Sequence, residues 1–329
     1  MTLLYFTIDT EYEPGFVARN GADTRQENFD RSIRGRTEAG DVGIFYQIEM
    51  FDRCGLKAVF FVDPMPSLLW GTQAIADVVG PIVERGHDVQ LHLHTEWLEL
   101  AGSANPLGSR IGDNLKDFAF EDQCRLLEWA AQELQAAGAP RPTAFRAGNY
   151  GANDDTLRAL AMLGFSHDSS HTPGFAGSPC AISLGQEHRR PLRHRGVTEV
   201  PIGCVGDVVG GLRHAQLTAL SLAELLAATR HAVDNQITDF TLVSHSFELL
   251  CRDRRRTNKI VKRRFDRYCE QLAAMDGVET GTYADRAPRP ARKTRPRSIL
   301  PKSAMRTGGR IAEQAVANML YGKKRPPAV

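Results

Sequence analysis

An apolar run that closes on carboxylates opens the chain, and the same device returns along most of its length. "TLLYFTID" is rich in aromatic and β-branched residues, "GIFYQIEMFDR" sets Ile44, Ile48 and Phe51 at helical spacing, and "GLKAVFFVD" is an unbroken apolar strand. The unit is strand, helix, parallel strand. It continues through the helices "QAIADVVGPIVERG", "EDQCRLLEWAAQELQAAG" closed by Gly138, "NDDTLRALAMLG" opened by an Asn or Asp cap, and "SLAELLAATRHAVDN". The strands between them are "HDVQLHLH", "PTAFRAG", "FSHDSS", "VTEVPIG" and "FTLVSHSFELL", with a blurred stretch from Thr172 to Leu220. This repetition predicts a parallel sheet with helices outside, open or closed into a barrel, whose functional face lies at the carboxyl ends of the strands. Asp9 and Glu11 fall at the first such end, His92 and His94 at the third, then Arg146, Asp168 and His245.

Length and composition admit this architecture. A chain of 329 residues fits one large barrel, and 42% apolar with 24% charged residues excludes disorder and membrane residence as starting points. No apolar run approaches the ~20 residues of a spanning helix. "MTLLYFTIDTEYE" lacks a basic leader and a cleavage site, and six cysteines stand without a C-x-x-C pair, so a cytoplasmic, reduced protein is expected.

The net charge of +2 hides an asymmetry: residues 286–329 carry twelve Lys or Arg against Glu313, while the rest carries 29 basic and 38 acidic side chains. The division is therefore a body, 1–285, and a tail, 286–329. "RAPRPARKTRPRSILPKS" reads as an extended linker and "AMRTGGRIAEQAVANMLYG" as a short helix with Ile311, Ala315, Met319 and Leu320 on one side. A solvated tail or docked helix is the plain expectation and a weak membrane-surface contact the sharper one; nucleic-acid binding is not expected.

His92 and His94 alternate on a strand, so both can reach one ion, with Glu96 in phase if the strand continues. A lone histidine pair is more often a hydrogen-bonded polar feature. Asp9 and Glu11 change the balance, because one carboxylate can hold metal while the other takes a proton from water. His167 and His171 flank Asp168 and are expected to be partly exposed, with completion of a metal shell as the alternative. "RDRRRTNKIVKRRF" carries eight bases from Arg252 to Arg264, a solvated helix face or a grip for phosphate. Residues 12–41 form a polar insertion on the same face, a candidate lid.

In order, "FTIDTE", "GLKAVFFV", "ERGHDVQLHLHTEW", "FRAGNYG", "GFSHDSS" and "LVSHSFEL" resemble the polysaccharide deacetylases of NodB homology, carbohydrate esterase family four. The resemblance covers Leu3 to Leu249. It implies a distorted (β/α)7 barrel that removes N-acetyl, more rarely O-acetyl, groups from sugars with one divalent ion, zinc first and cobalt or nickel as alternatives. Asp9 matches the family's base; Glu11 stands one place beyond the second aspartate, which is Thr10 here. His92 matches the first metal histidine, and Glu96 occupies the place of the second, with His94 between them. Arg146 would orient Asp9, and Asn149 or Tyr150 would hold the oxyanion through backbone N–H, with Gly148 where the family has proline. Asp168 matches the acid that pairs with the arginine, and His245 the general acid. The implied substrate is an N-acetylated sugar; the basic run adds a nucleotide- or lipid-linked form as an option, and the lack of a leader favours an intermediate of polysaccharide or glycoconjugate assembly. The competing readings are an inactive sugar-binding barrel and an amidohydrolase, whose His-x-His belongs on a first strand, not a third.

Overall fold

The computed structural model describes residues 1–291 and 298–321. The central part of the expected linker, 292–297, lies outside the described residues. Nine strands form the main sheet: β1 (Thr2–Thr10), β2 (Val59–Val62), β3 (Asp88–Leu93), β4 (Ala144–Ala147), β5 (His167–Asp168), β6 (Leu192–His194), β7 (Val197–Glu199), β8 (Asp239–His245) and β9 (Val278–Thr280). Their order is β8-β1-β2-β3-β4-β5-β7-β6, with β9 against the start of β1. Only β6 runs antiparallel, so β8 through β7 are the seven parallel strands expected.

The curl is completed by irregular chain, not by a strand pair. Beyond β7, Gly203 N–H donates to Thr241 O at 2.9 Å, and Val243 exchanges bonds with Ala215 and Leu217 at 2.9 Å each. A Cβ at Gly203 would stand 2.6 Å from Thr241 O, so glycine permits this approach. The blurred stretch is thus the seam of the barrel, where short irregular segments replace a patterned strand.

Alternation along the strands sorts side chains onto two faces. Leu4, Phe6, Ile8 and Phe60 belong to the large core between sheet and helices, whereas Val59, Phe61, Ala144, Val200 and Tyr283 form a small apolar plug inside the curl. One helix begins at the cap read for it, Asn153, which accepts from Thr156 N–H, and another at Ser221, which accepts from Glu224 N–H. Residues 12–41 are folded, not open loop. They contain the helix Pro14–Asn20, shorter turns and a small hairpin, with Phe16, Val17 and Ile33 buried and Ser246 Oγ donating to Ser32 O at 2.7 Å. The helix Ala304–Tyr321 lies against the barrel through polar side chains. No helix among the described residues is long and apolar enough to cross a membrane.

Candidate active site

Registration brings the polar strand ends to one level: Asp9 lies beside His245, and His92 beside Arg146. These side chains share the inner face with Phe61 and sit directly above the apolar plug. Asp9, His92 and His245 line an open cleft of about 670 Å³ together with Glu11, His94 and Tyr150, with Arg146 buried behind Asp9.

Glu11 Oε2 stands 3.2 Å from His92 Nε2 and 2.6 Å from His94 Nε2. One ligand atom from each of the three lies within 4.8 Å of the others, a donor set of two imidazoles and one carboxylate that suits a zinc-like ion. The back of each ring is fixed. His92 Nδ1 meets Arg146 O at 2.7 Å, and His94 Nδ1 meets Glu96 Oε2 at 3.2 Å. Both acceptors favour the proton on Nδ1 and leave the Nε2 lone pairs for a metal. Burial alone would raise Glu11, yet His94 and His92 hold its carboxyl well below the usual range. Burial alone would lower His94, yet Glu11 and Glu96 hold it well above. Carboxylate and imidazolium thus make a charge pair, and a divalent ion bound there would take the place of the proton on Nε2.

Glu96 is not part of this donor set, which corrects its assignment as a ligand. The strand ends at Leu93, and Glu96 precedes the helix Trp97–Ala101, so the two-residue phase linking His92 and His94 does not extend to it. Its carboxylate instead bridges His94 Nδ1 and Asn149 Nδ2, the latter at 3.0 Å. Gly148 packs directly against this histidine. A Cβ at Gly148 would meet Leu93 O at 2.7 Å and the His94 ring at 2.8 Å. The His94 imidazole therefore occupies the space that a side chain at 148 would require.

Across the cleft, the Arg146 guanidinium is fully buried, lies 4.2 Å above the Phe61 ring and donates from Nη1 to Asp9 Oδ1 at 2.5 Å. Its Nε and Nη2 donate to Ser169 O and Ser169 Oγ, each at 3.2 Å. Asp168, expected to pair with this arginine, does not. Phe145 registers with Asp168, so Arg146 comes level with Ser169, while Asp168 points to the opposite face of the sheet. There it accepts from Ser170 N and Ser170 Oγ at 2.9 Å and faces Glu199 across β5 and β7. Burial and the Asp168 carboxyl push Glu199 well above the ordinary range, which keeps one proton between the two acids.

His245 Nε2 stands 3.9 Å from Asp9 Oδ2, and its Nδ1 is 3.0 Å from Glu248 Oε1. Burial would lower His245; the hydrogen bond and charge of Glu248, with Asp9 and Glu11, overcome it and push the imidazole up to about 9. Glu248 is itself held by Thr218 Oγ1, Ser244 Oγ and Gln216. Sequence reasoning missed Glu248, although it stands three residues beyond His245 within the same motif; Gln216 and His214 lie in the unpatterned seam and carried no signal. Asp63, just beyond β2, was also missed: burial pushes its carboxyl up to about 6 against the pull of His94 and His92.

Asn149 and Tyr150 have consecutive left-handed φ values of 54° and 59°, strained for side-chain-bearing residues, and both line the cleft. His167 and His171 are buried, not exposed: Nε2 of each meets a backbone carbonyl, of Pro288 at 2.9 Å and of Gly185 at 3.3 Å, and neither joins the donor set. Of the basic run, Arg254 reaches inward to stack 3.4 Å over Phe247, whereas Arg252, Arg255 and Lys259 remain exposed.

No protein-family model and no curated protein sequence matches the chain. Solved structures do. A Mycobacterium smegmatis protein provisionally assigned as a polysaccharide deacetylase is 17% identical, with 90% of this chain and 95% of that chain covered and a TM-score of 0.57. A 4-α-glucanotransferase from Thermococcus litoralis is 12% identical over 88% of this chain and 41% of that chain, with a TM-score of 0.53. A family four carbohydrate esterase from Streptomyces lividans, solved with acetate, is 11% identical over 91% and 98%, with a TM-score of 0.44. A transferase among such neighbours shows that this scaffold does not dictate one chemistry. At these identities the likeness speaks for architecture, and the architecture is that of the polysaccharide deacetylases.

Proposed function

We propose that the protein is a metal-dependent hydrolase that removes an acetyl group, N-linked in the main, from a sugar intermediate of polysaccharide or glycoconjugate assembly. The observation that carries the reading is the convergence of Glu11, His92 and His94 on one point, with Asp9 and His245 across the same cleft. A divalent ion held by those three residues would lower the pKa of a bound water and polarise the acetyl carbonyl. Arg146 ties down Asp9 Oδ1 and supplies its countercharge, leaving Oδ2 on the His245 side to accept a proton from water. His245, charged at neutral pH, donates its Nε2 proton to the departing amine, while Glu248 fixes Nδ1 behind it. The strained Asn149–Tyr150 backbone is the candidate oxyanion donor. Zinc suits the donor set best, with cobalt or nickel as alternatives. Six free cysteines fit a reducing, cytoplasmic setting.

The competing idea of an inactive sugar-binding barrel drew on Glu96 standing where a ligand histidine belongs. His94 supplies the imidazole, so that motive loses its force. The test is acetate release from a panel of N-acetylated monosaccharides, oligosaccharides and nucleotide sugars, by protein stripped with chelator and reloaded with zinc, cobalt or nickel. Release that requires the ion supports the reading; stoichiometric metal binding with no release from any substrate overturns it.

A further inference from the structure

The helix Ala304–Tyr321 is mounted the wrong way round for a surface helix. Soluble helices bury their apolar stripe and show their polar one. Here the docked stripe is polar. Thr307 and Arg310 are buried; Arg310 donates to both Asp207 oxygens at 2.9 and 3.0 Å and from Nε to Glu224 Oε1 at 3.2 Å, and Glu313 pairs with Arg264. The outward stripe is apolar: Met305 is 85% exposed, Met319 77%, Leu320 52% and Ile311 48%, with Val316 beside them. The buried ion pairs fix that orientation, since freeing Arg310 would leave Asp207 and Glu224 with an uncompensated charge. Val208 and Val209, at the tip of the hairpin that carries Asp207, are exposed as well.

Charge says what covers the stripe. The helix ends at Tyr321, which shares a surface hollow with Arg255, Arg256 and Lys259 and with the acids Glu38 and Asp253, the latter paired with Arg256 at 2.7 Å. Arg252 and Arg263, on the same basic run, are also exposed, and the sequence continues with Lys323, Lys324 and Arg325. Two copies joined through this face would bring like charges together. An anionic lipid surface accepts both the apolar stripe and the bases at its end. At 18 residues, about 27 Å long, the helix is suited to lie in an interface. We propose that this inverted helix, with the basic patch at its end, seats the protein on an anionic membrane surface. The proposal stands apart from the deacetylase reading.

The test is sedimentation of the full chain with vesicles of phosphatidylcholine alone and of phosphatidylcholine with about a third phosphatidylglycerol, at low and high salt. The expected result is binding to anionic vesicles at least about tenfold tighter than to neutral ones and weakened by salt. Ile311→Glu with Met319→Glu should abolish it, and Arg255→Glu with Lys259→Glu should weaken it at least about tenfold. All four positions are exposed, so thermal midpoints and metal content should hold, which separates lost binding from lost fold. Equal binding to both vesicles, no binding, or undiminished binding by either double variant overturns the proposal. So does a dimer in solution that the Ile311→Glu, Met319→Glu variant dissociates, which would give the face to a second copy.

Discussion

The two walls of the cleft use the same side chain for different ends. On one wall His92 and His94 turn their Nε2 atoms onto a single carboxylate oxygen, Glu11 Oε2, at 3.2 and 2.6 Å. On the other, His245 turns its Nε2 toward Asp9 but stands off at 3.9 Å. All three rings have Nδ1 against an oxygen, so tautomer is not what separates them. What separates them is convergence: two imidazoles and a carboxylate aimed at one point could hold a cation, whereas one imidazole backed by a buried carboxylate has the arrangement the proposed proton donor needs. An imidazole takes its role from the geometry of its partners.

The largest effect tests the first wall. His94→Ala should abolish metal binding, measured by metal analysis after dialysis, and with it all metal-dependent turnover; retention of metal with loss in Glu96→Ala instead would reverse the assignment of the two residues. His245→Gln should keep the metal and lower kcat by about 10²–10⁴. If that variant lost metal too, the two walls would not be separate devices.

Smaller effects reach the supports. Glu96→Gln should weaken metal affinity by about 10–100-fold by titration, the range expected of a group that orients a ligand. Gly148→Ala should destabilise by roughly 1–3 kcal/mol in chemical denaturation through overpacking, with weaker metal binding, because its Cβ strikes the His94 ring. Glu248→Gln acts on the other wall. His245 is raised to about 9, so the alkaline limb of the rate profile should fall there in the parent and move toward the unperturbed value of about 6.5 in the variant. The sign for stability agrees: a raised histidine contributes fully below about pH 6.5, and the contribution is lost as pH rises through about 9. A limb that stays in place would remove Glu248 as the source of the shift.

The strands and helices of the body were legible because burial on a parallel sheet imposes continuous apolar runs, while the crossover helices keep a 3.6-residue period. Asp9, Glu11, His92, Arg146 and His245 were legible as polar residues ending such runs. Asp168 was misread for a reason no local pattern carries. Its place relative to Arg146 depends on the register between β4 and β5, and a shift of one residue moves a side chain to the other face. Between Thr172 and Leu220 "VTEVPIG" was legible and became β7, while the chain beyond it stayed unreadable because its bonds to β8 come from isolated residues such as Gly203 and Ala215.

By itself the sequence determined the repeated β/α units, the face on which their polar ends gather, and the pairing of carboxylates with imidazoles there, since these follow from periodicity and residue chemistry. Only the tertiary structure placed His94, and not Glu96, together with Glu11 and His92. That placement rests on where β3 ends and on the missing side chain at Gly148, which leaves room for the His94 ring, and both depend on how two strands distant in sequence pack side by side. It also turned the last helix outward, because the buried partners of Arg310 lie about a hundred residues earlier in the chain, beyond the reach of any local pattern.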